Sequence, residues 1–98
     1  MCDIYASTDP ALYEPVSRSI RLNGQVTSLR LERRFWTLLD QLAHHEQLST
    51  PQFVSTLYLE VLQRRGEIQN FASLLRVICT EYASRQANTL AEEAAELL

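Results

Sequence analysis

The chain reads as a mainly α-helical fold with a short β-ribbon, a ribbon dimer with an extra N-terminal hairpin strand and a third C-terminal helix. Three observations predict it. Asn23-Gly24 separates two alternating runs, three downstream segments repeat apolar residues at helical spacing, and 98 residues leave room for one core. The expectation is a single domain over 1–98: core 16–85, irregular arm 1–15, and acidic helical tail 88–98.

In the arm, Asp9-Pro10 has the form of an N-cap followed by proline at the first helical position, so one turn over Pro10 to Tyr13 is expected. Tyr5, Leu12 and Tyr13 are expected to pack the arm onto the core.

In "VSRSIRLNGQVTSLRL" both turn positions favour positive φ, and pairing about the turn sets Leu22 opposite Gln25, Arg21 opposite Val26, Ile20 opposite Thr27 and Ser19 opposite Ser28. One face collects Ile20, Leu22, Thr27, Leu29 and Leu31; the other collects Ser19, Arg21, Val26, Ser28 and Arg30. Arg18 and Val26 break the pattern.

From Arg33 the period becomes helical: Phe35, Leu38, Leu39 and Leu42 make a stripe flanked by Trp36 and Ala43, fading at His45 to Gln47. Ser49 or Thr50 caps a second helix with Pro51 in its first turn, a stripe of Phe53, Val54, Leu57, Tyr58, Val61 and Leu62, and Gly66 as terminator. Asn70 caps a third, carried by Phe71, Leu74, Leu75, Ile78, Cys79, Tyr82 and Ala83. The tail "TLAEEAAELL" reads as a short amphipathic helix, with Glu92, Glu93 and Glu96 on a solvated face.

The formal charge of −3 argues mildly against a nucleic-acid partner, but its distribution matters more. Between Val16 and Arg34 five arginines face one glutamate, a local charge of +4, which leaves the rest of the chain at −7. No apolar run approaches the roughly 18 residues that cross a membrane, and the start lacks a basic segment followed by an apolar one, so a cytoplasmic protein is expected. Cys79 falls in an apolar stripe and reads as a buried thiol, and neither it nor Cys2 has metal-ligand spacing. His44-His45 point in different directions without an acidic or cysteine partner, so no metal or other cofactor is assigned. No glycine-rich phosphate loop, nucleophile elbow or framed carboxylate pair is present, and no enzyme activity is expected. Trp36 reads as core or interface, Tyr58 and Tyr82 as structural.

A lone ribbon leaves strand edges unpaired and helical apolar surface exposed. Two copies solve both problems if strands pair antiparallel across a two-fold axis, with Leu29 and Leu31 buried below and Val26, Ser28 and Arg30 pointing out.

"VTSLRLERRFWTLLDQLAHHEQLSTPQFVSTLYLEVL" followed by "NFASLLRV" resembles the ribbon-helix-helix family, in particular its small bacterial single-domain members, over roughly residues 16 to 80. The resemblance implies a homodimer that lays a two-stranded ribbon in the major groove of double-stranded DNA and represses transcription. It implies base contacts by Val26, Ser28 and Arg30 and a phosphate at the start of the helix near Ser49 and Thr50. Arginine suits the acceptors of guanine, serine takes either hydrogen-bonding role, and valine can touch a thymine methyl. Arg21, Arg33 and Arg34 are the other phosphate candidates, and Leu29, Leu31, Phe35, Trp36, Phe53 and Leu57 the dimer-interface candidates.

Alternatives stay open at several positions. Arg30 reads either as a base reader or as a solvated partner of Glu32, and Ser28 either as a reader or as an ordinary exposed serine. The 16–22 strand either widens the ribbon or obstructs it. A second function is a protein-interaction module, antitoxin-like or scaffolding, that holds a partner through the third helix and acidic tail.

Overall fold

A computed structural model describes residues 3–97; Met1, Cys2 and Leu98 lie outside the described residues, and with them the expectation for Cys2. The order is α1 (Asp3–Ala6), a 3-10 turn (Pro10–Tyr13), β1 (Pro15–Leu22), β2 (Gln25–Glu32), α2 (Arg33–His45), α3 (Thr50–Arg65) and α4 (Phe71–Glu96).

β1 and β2 form an antiparallel hairpin in the expected register, from Leu22↔Gln25 through Ser19↔Ser28 to Pro15↔Glu32. Asn23 at φ 50° and Gly24 at φ 84° supply the two left-handed residues that a two-residue turn with the strands' own twist requires. Because side chains alternate, Ile20, Leu22, Leu29 and Leu31 all fall beneath the hairpin and are buried.

Trp36, Leu38, Leu39 and Ala43 of α2, Val54 of α3, and Phe71, Leu75 and Cys79 of α4 complete the core. The Trp36 indole N–H donates to the Val16 carbonyl at 2.8 Å, so the ring is buried without an orphaned donor. Tyr58 and Phe71 meet edge to face at 5.2 Å, and His45 meets Tyr82 the same way at 5.7 Å. His45 thus has a packing contact on α4, and no grouping of three metal-ligating side chains occurs among the described residues.

α2 ends in a Schellman motif: Gln47 takes φ 60°, Leu48 N–H donates to the Ala43 carbonyl at 2.9 Å, and Gln47 N–H donates to that of His44 at 3.0 Å. This tight exit leads within a few residues to Ser49, the N-cap of α3. A capping box closes there: Gln52 N–H donates to Ser49 Oγ at 3.2 Å, and Ser49 N–H to Gln52 Oε1 at 3.0 Å. Gly66 at φ 78° ends α3, as expected. Asn70 stands at the start of α4 but in a left-handed conformation with no side-chain cap bond.

Three expectations are corrected. The tail is the continuation of α4, which runs unbroken from Phe71 to Glu96, about 39 Å at 1.5 Å per residue, because no glycine or proline interrupts it. Tyr5, Leu12 and Tyr13 do not pack the arm down: they are 80%, 39% and 60% exposed. The space beneath the hairpin is already filled by helices, and the arm is tied at Glu14, whose carbonyl accepts from Arg33 N–H at 2.9 Å and whose carboxylate pairs with the Arg33 guanidinium. Finally, the hairpin needs no second copy to cover its apolar side. Leu29, Leu31 and Trp36 are 7%, 0% and 1% exposed within one chain, because α2, α3 and α4 together roof the face.

Candidate nucleic-acid interface

The outward face of the hairpin carries Ser17, Ser19 and Arg21 on β1 against Arg30, Ser28 and Val26 on β2, and all six are exposed. Two serines stand opposite each other at the centre, with an arginine toward either end on opposite strands. Val26 is 65% exposed, an apolar patch within a polar surface. The surface offers guanidinium donors, hydroxyls that donate or accept, and one apolar contact.

The arginines divide into engaged and free. Arg18 points under the hairpin, stacks 4.5 Å above the Trp36 ring and pairs with Asp40 of α2 at 2.9 Å. This resolves the break it made in the alternation: its stem covers apolar surface while its head finds an acid. Arg33 reaches Glu14 at 3.5 Å. Arg21 donates to the Gly24 carbonyl at 3.3 Å and lines an open cleft of about 500 Å³ with Pro51, Gln52 and Ser55 of α3. Arg30 and Arg34 are exposed and make no ion pair or side-chain hydrogen bond among the described residues.

Glu32, at the junction of β2 and α2, pairs with Arg76 of α4 at 2.8 Å rather than with Arg30. The Arg76 hydrogen bond is the main cause that holds its carboxyl below the ordinary value. Arg30 is therefore not committed to its neighbour.

The structure brings Ser28 and Arg30 together on one surface with Ser17 and Ser19, which the sequence-based site did not include. The signal for Ser17 and Ser19 was present in the alternation running back from the turn. It does not bring Thr50 forward as a free side-chain donor, because its hydroxyl donates to Asp40 Oδ1 at 2.6 Å, whereas Ser49 Oγ accepts from Gln52 N–H and keeps its own proton to donate. Asp40 has no sequence signal, because its role depends on how α2 packs beside α3 and β1. Of the interface candidates, Leu29, Leu31 and Trp36 have no surface left to offer, whereas Phe35, Phe53 and Leu57 are half-buried and border solvent. β1 lies flush beside β2 over eight residue pairs.

No helix among the described residues is long and apolar enough to cross a membrane. A family model described as a ribbon-helix-helix domain matches residues 15–83. The solved structure of an uncharacterized protein from Bordetella pertussis Tohama I superposes with a TM-score of 0.87 at 40% sequence identity, covering 91% of this chain and 71% of that one. No curated protein matches this chain.

Proposed function

Since the chain belongs to the ribbon-helix-helix family, we propose that it is a non-catalytic, cytoplasmic DNA-binding homodimer that represses transcription. The observation that carries this reading is the outward Arg30, unpaired among the described residues and aligned with Ser28, Ser19 and Ser17, while Arg18 and Arg76 are each committed to an acid and Arg33 shares an exposed 3.5 Å pair with Glu14 that a phosphate can replace.

β2 has one strand neighbour among the described residues, so its second edge is open to the same strand of another copy. Antiparallel pairing along that edge makes a four-stranded sheet with both β2 strands at its centre. Its outer strands stand about 14 Å apart, wider than the roughly 12 Å major groove. The central strands then enter, presenting Val26, Ser28 and Arg30 to base edges, and the β1 strands ride over the groove walls, where Arg21 meets phosphate. Arg33 and Arg34, at the foot of the ribbon, add phosphate contacts. Half-buried Phe35, Phe53 and Leu57 form the apolar flank of the dimer.

The test is selection of a preferred site from random duplexes, followed by comparison with Arg30→Ala. Loss of one arginine–guanine contact per chain costs about 1–3 kcal/mol of discrimination at that base pair. Binding should weaken with salt, with a log-log slope of about −0.9 for each phosphate neutralised. Unchanged affinity and preference in Arg30→Ala, or sedimentation as a monomer at high concentration, would refute the reading.

A second reading is supported by α4. From residue 84 onward its side chains are exposed except for half-buried Gln86, with Leu90 at 64% and Leu97 at 88%. Such a projecting acidic helix suits a protein partner, in the manner of an antitoxin or scaffold.

A further inference from the structure

On the outward face of the hairpin Arg30 is flanked by Ser28 and Glu32 on its own strand, by Ser17 opposite, and by Ser19 and Pro15 on the diagonals. Of these Glu32 alone is acidic. Residues two apart on a strand stand about 6.8 Å from each other at 3.4 Å per residue, a gap that arginine and glutamate side chains bridge together. Such a pair needs no other element to form it. Yet the Glu32 carboxylate is turned away from Arg30.

What turns it is Arg76 of α4, whose Nε and one terminal amine donate to the two carboxylate oxygens at 2.8 and 3.4 Å. Arg76 follows fully buried Leu75 and stands between Phe71 and Cys79, both also in the core, so α4 delivers its guanidinium to a fixed place at the end of β2. The Arg76 hydrogen bond is the largest influence that holds the Glu32 carboxyl below its ordinary value, and the charges of Arg76 and then Arg30 act in the same direction. Arg30 is thus already within electrostatic reach of the acid.

We propose that Arg76 is a positioning residue for base reading: it holds Glu32 off Arg30, so that the guanidinium on the ribbon stays free. With Arg76 removed, Arg30 is the cation left to act on the carboxylate. An arginine paired in that way has donors occupied, and to reach guanine it must break the pair and leave an unpaired carboxylate beside the negative charge of the duplex. The third helix, which does not line the outward face, therefore sets the charge that this face presents. The consequence for DNA rests on the proposed function; the restraint on Glu32 does not.

The test compares wild type, Arg76→Met, Glu32→Gln and the double variant. Methionine keeps the apolar stem of Arg76, and the Arg76 and Glu32 side chains are 35% and 32% exposed, so folding does not hinge on the pair. The Arg30 Nε–H resonance is followed first, in the free protein. In Arg76→Met its exchange with water should slow at least twofold, and in the double variant it should return to the wild-type rate.

A duplex carrying the site selected by wild type is then titrated by fluorescence anisotropy. Arg76→Met should bind at least threefold more weakly and lose discrimination at the base pair that Arg30→Ala ceases to read, whereas Glu32→Gln and the double variant should stay within twofold of wild type. An unmoved Arg30 resonance in Arg76→Met would overturn the proposal. So would a double variant as weak as Arg76→Met, or an equal loss in Glu32→Gln, since either marks a pair that only ties α4 to the hairpin. If wild type binds no duplex, the proposed function fails and the resonance alone decides whether Arg76 restrains Glu32.

Discussion

Arg18 of β1 and Asp40 of α2 form a two-pronged ion pair at 2.9 and 3.2 Å, and the guanidinium lies 4.5 Å above the ring of Trp36. The pair ties the hairpin to the helix beneath it, and Thr50 joins it from α3. Its side chains are 40% and 46% exposed, so solvent screens the ionic part to about 1 kcal/mol or less.

Removing Arg18 loses that ionic part together with a cation–π contact of about 0.5–1 kcal/mol. Arg18→Ala should therefore lower stability by roughly 1–2 kcal/mol, or about 4–8 °C of melting temperature per kcal/mol in a domain of this size. Wild-type melting in Arg18→Ala would mean that the pair contributes nothing.

The same pair sets a pH dependence. Partial burial pushes the Asp40 carboxyl up, but hydrogen bonds from Arg18 and Thr50 and the Arg18 charge outweigh it, leaving the group below its ordinary value of 3.8. A carboxyl depressed in the folded state contributes stability that is complete above its unfolded value and lost as pH falls through the folded one. Glu32, held down chiefly by Arg76, acts with the same sign. Denaturant midpoints should fall as pH drops below about 4, and less so in Asp40→Asn. An identical acid profile in the variant would contradict the assignment.

Cys79 is fully buried, its Sγ lies 3.6 Å from the Phe35 carbonyl, and desolvation pushes its thiol up to about 11. At pH 8 it is protonated and shielded. In a Cys2→Ser background an aromatic disulfide reagent should modify it only when the chain unfolds. Rapid modification of the native protein would show that α2 and α4 separate readily.

Residues 87–97 bury no side chain, so deleting residues 88–98 should change stability by no more than about 0.5 kcal/mol while reducing the helical circular dichroism. DNA affinity should be unaffected, and any protein partner of α4 should be lost. A marked drop in melting temperature would mean that the tail packs against a second copy.

The hairpin and its register were legible because Asn23-Gly24 and strict alternation are local signals: turn geometry and the pleat act over two residues. The ends of α3 were legible for the same reason, Ser49 and Gly66 being caps whose chemistry stays within one turn. The end of α2 also fell where expected, between His45 and Gln47, although the left-handed conformation that glycine usually marks is taken there by Gln47. The continuity of α4 was missed because its apolar stripe stops at Ala83, whereas the helix persists on backbone hydrogen bonds and good helix formers.

Local chemistry by itself determined the strands, the turn and which face of the ribbon is polar, since each depends on neighbours a few residues away. Tertiary packing alone decided which polar groups stay free. Glu32 found Arg76 at 44 residues' separation and Asp40 found Arg18 at 22. No spacing rule anticipates those meetings, because an ion pair between elements is set by how helices lie across a sheet. That packing enclosed Leu29, Leu31 and Trp36 within one chain and left Arg30 facing solvent.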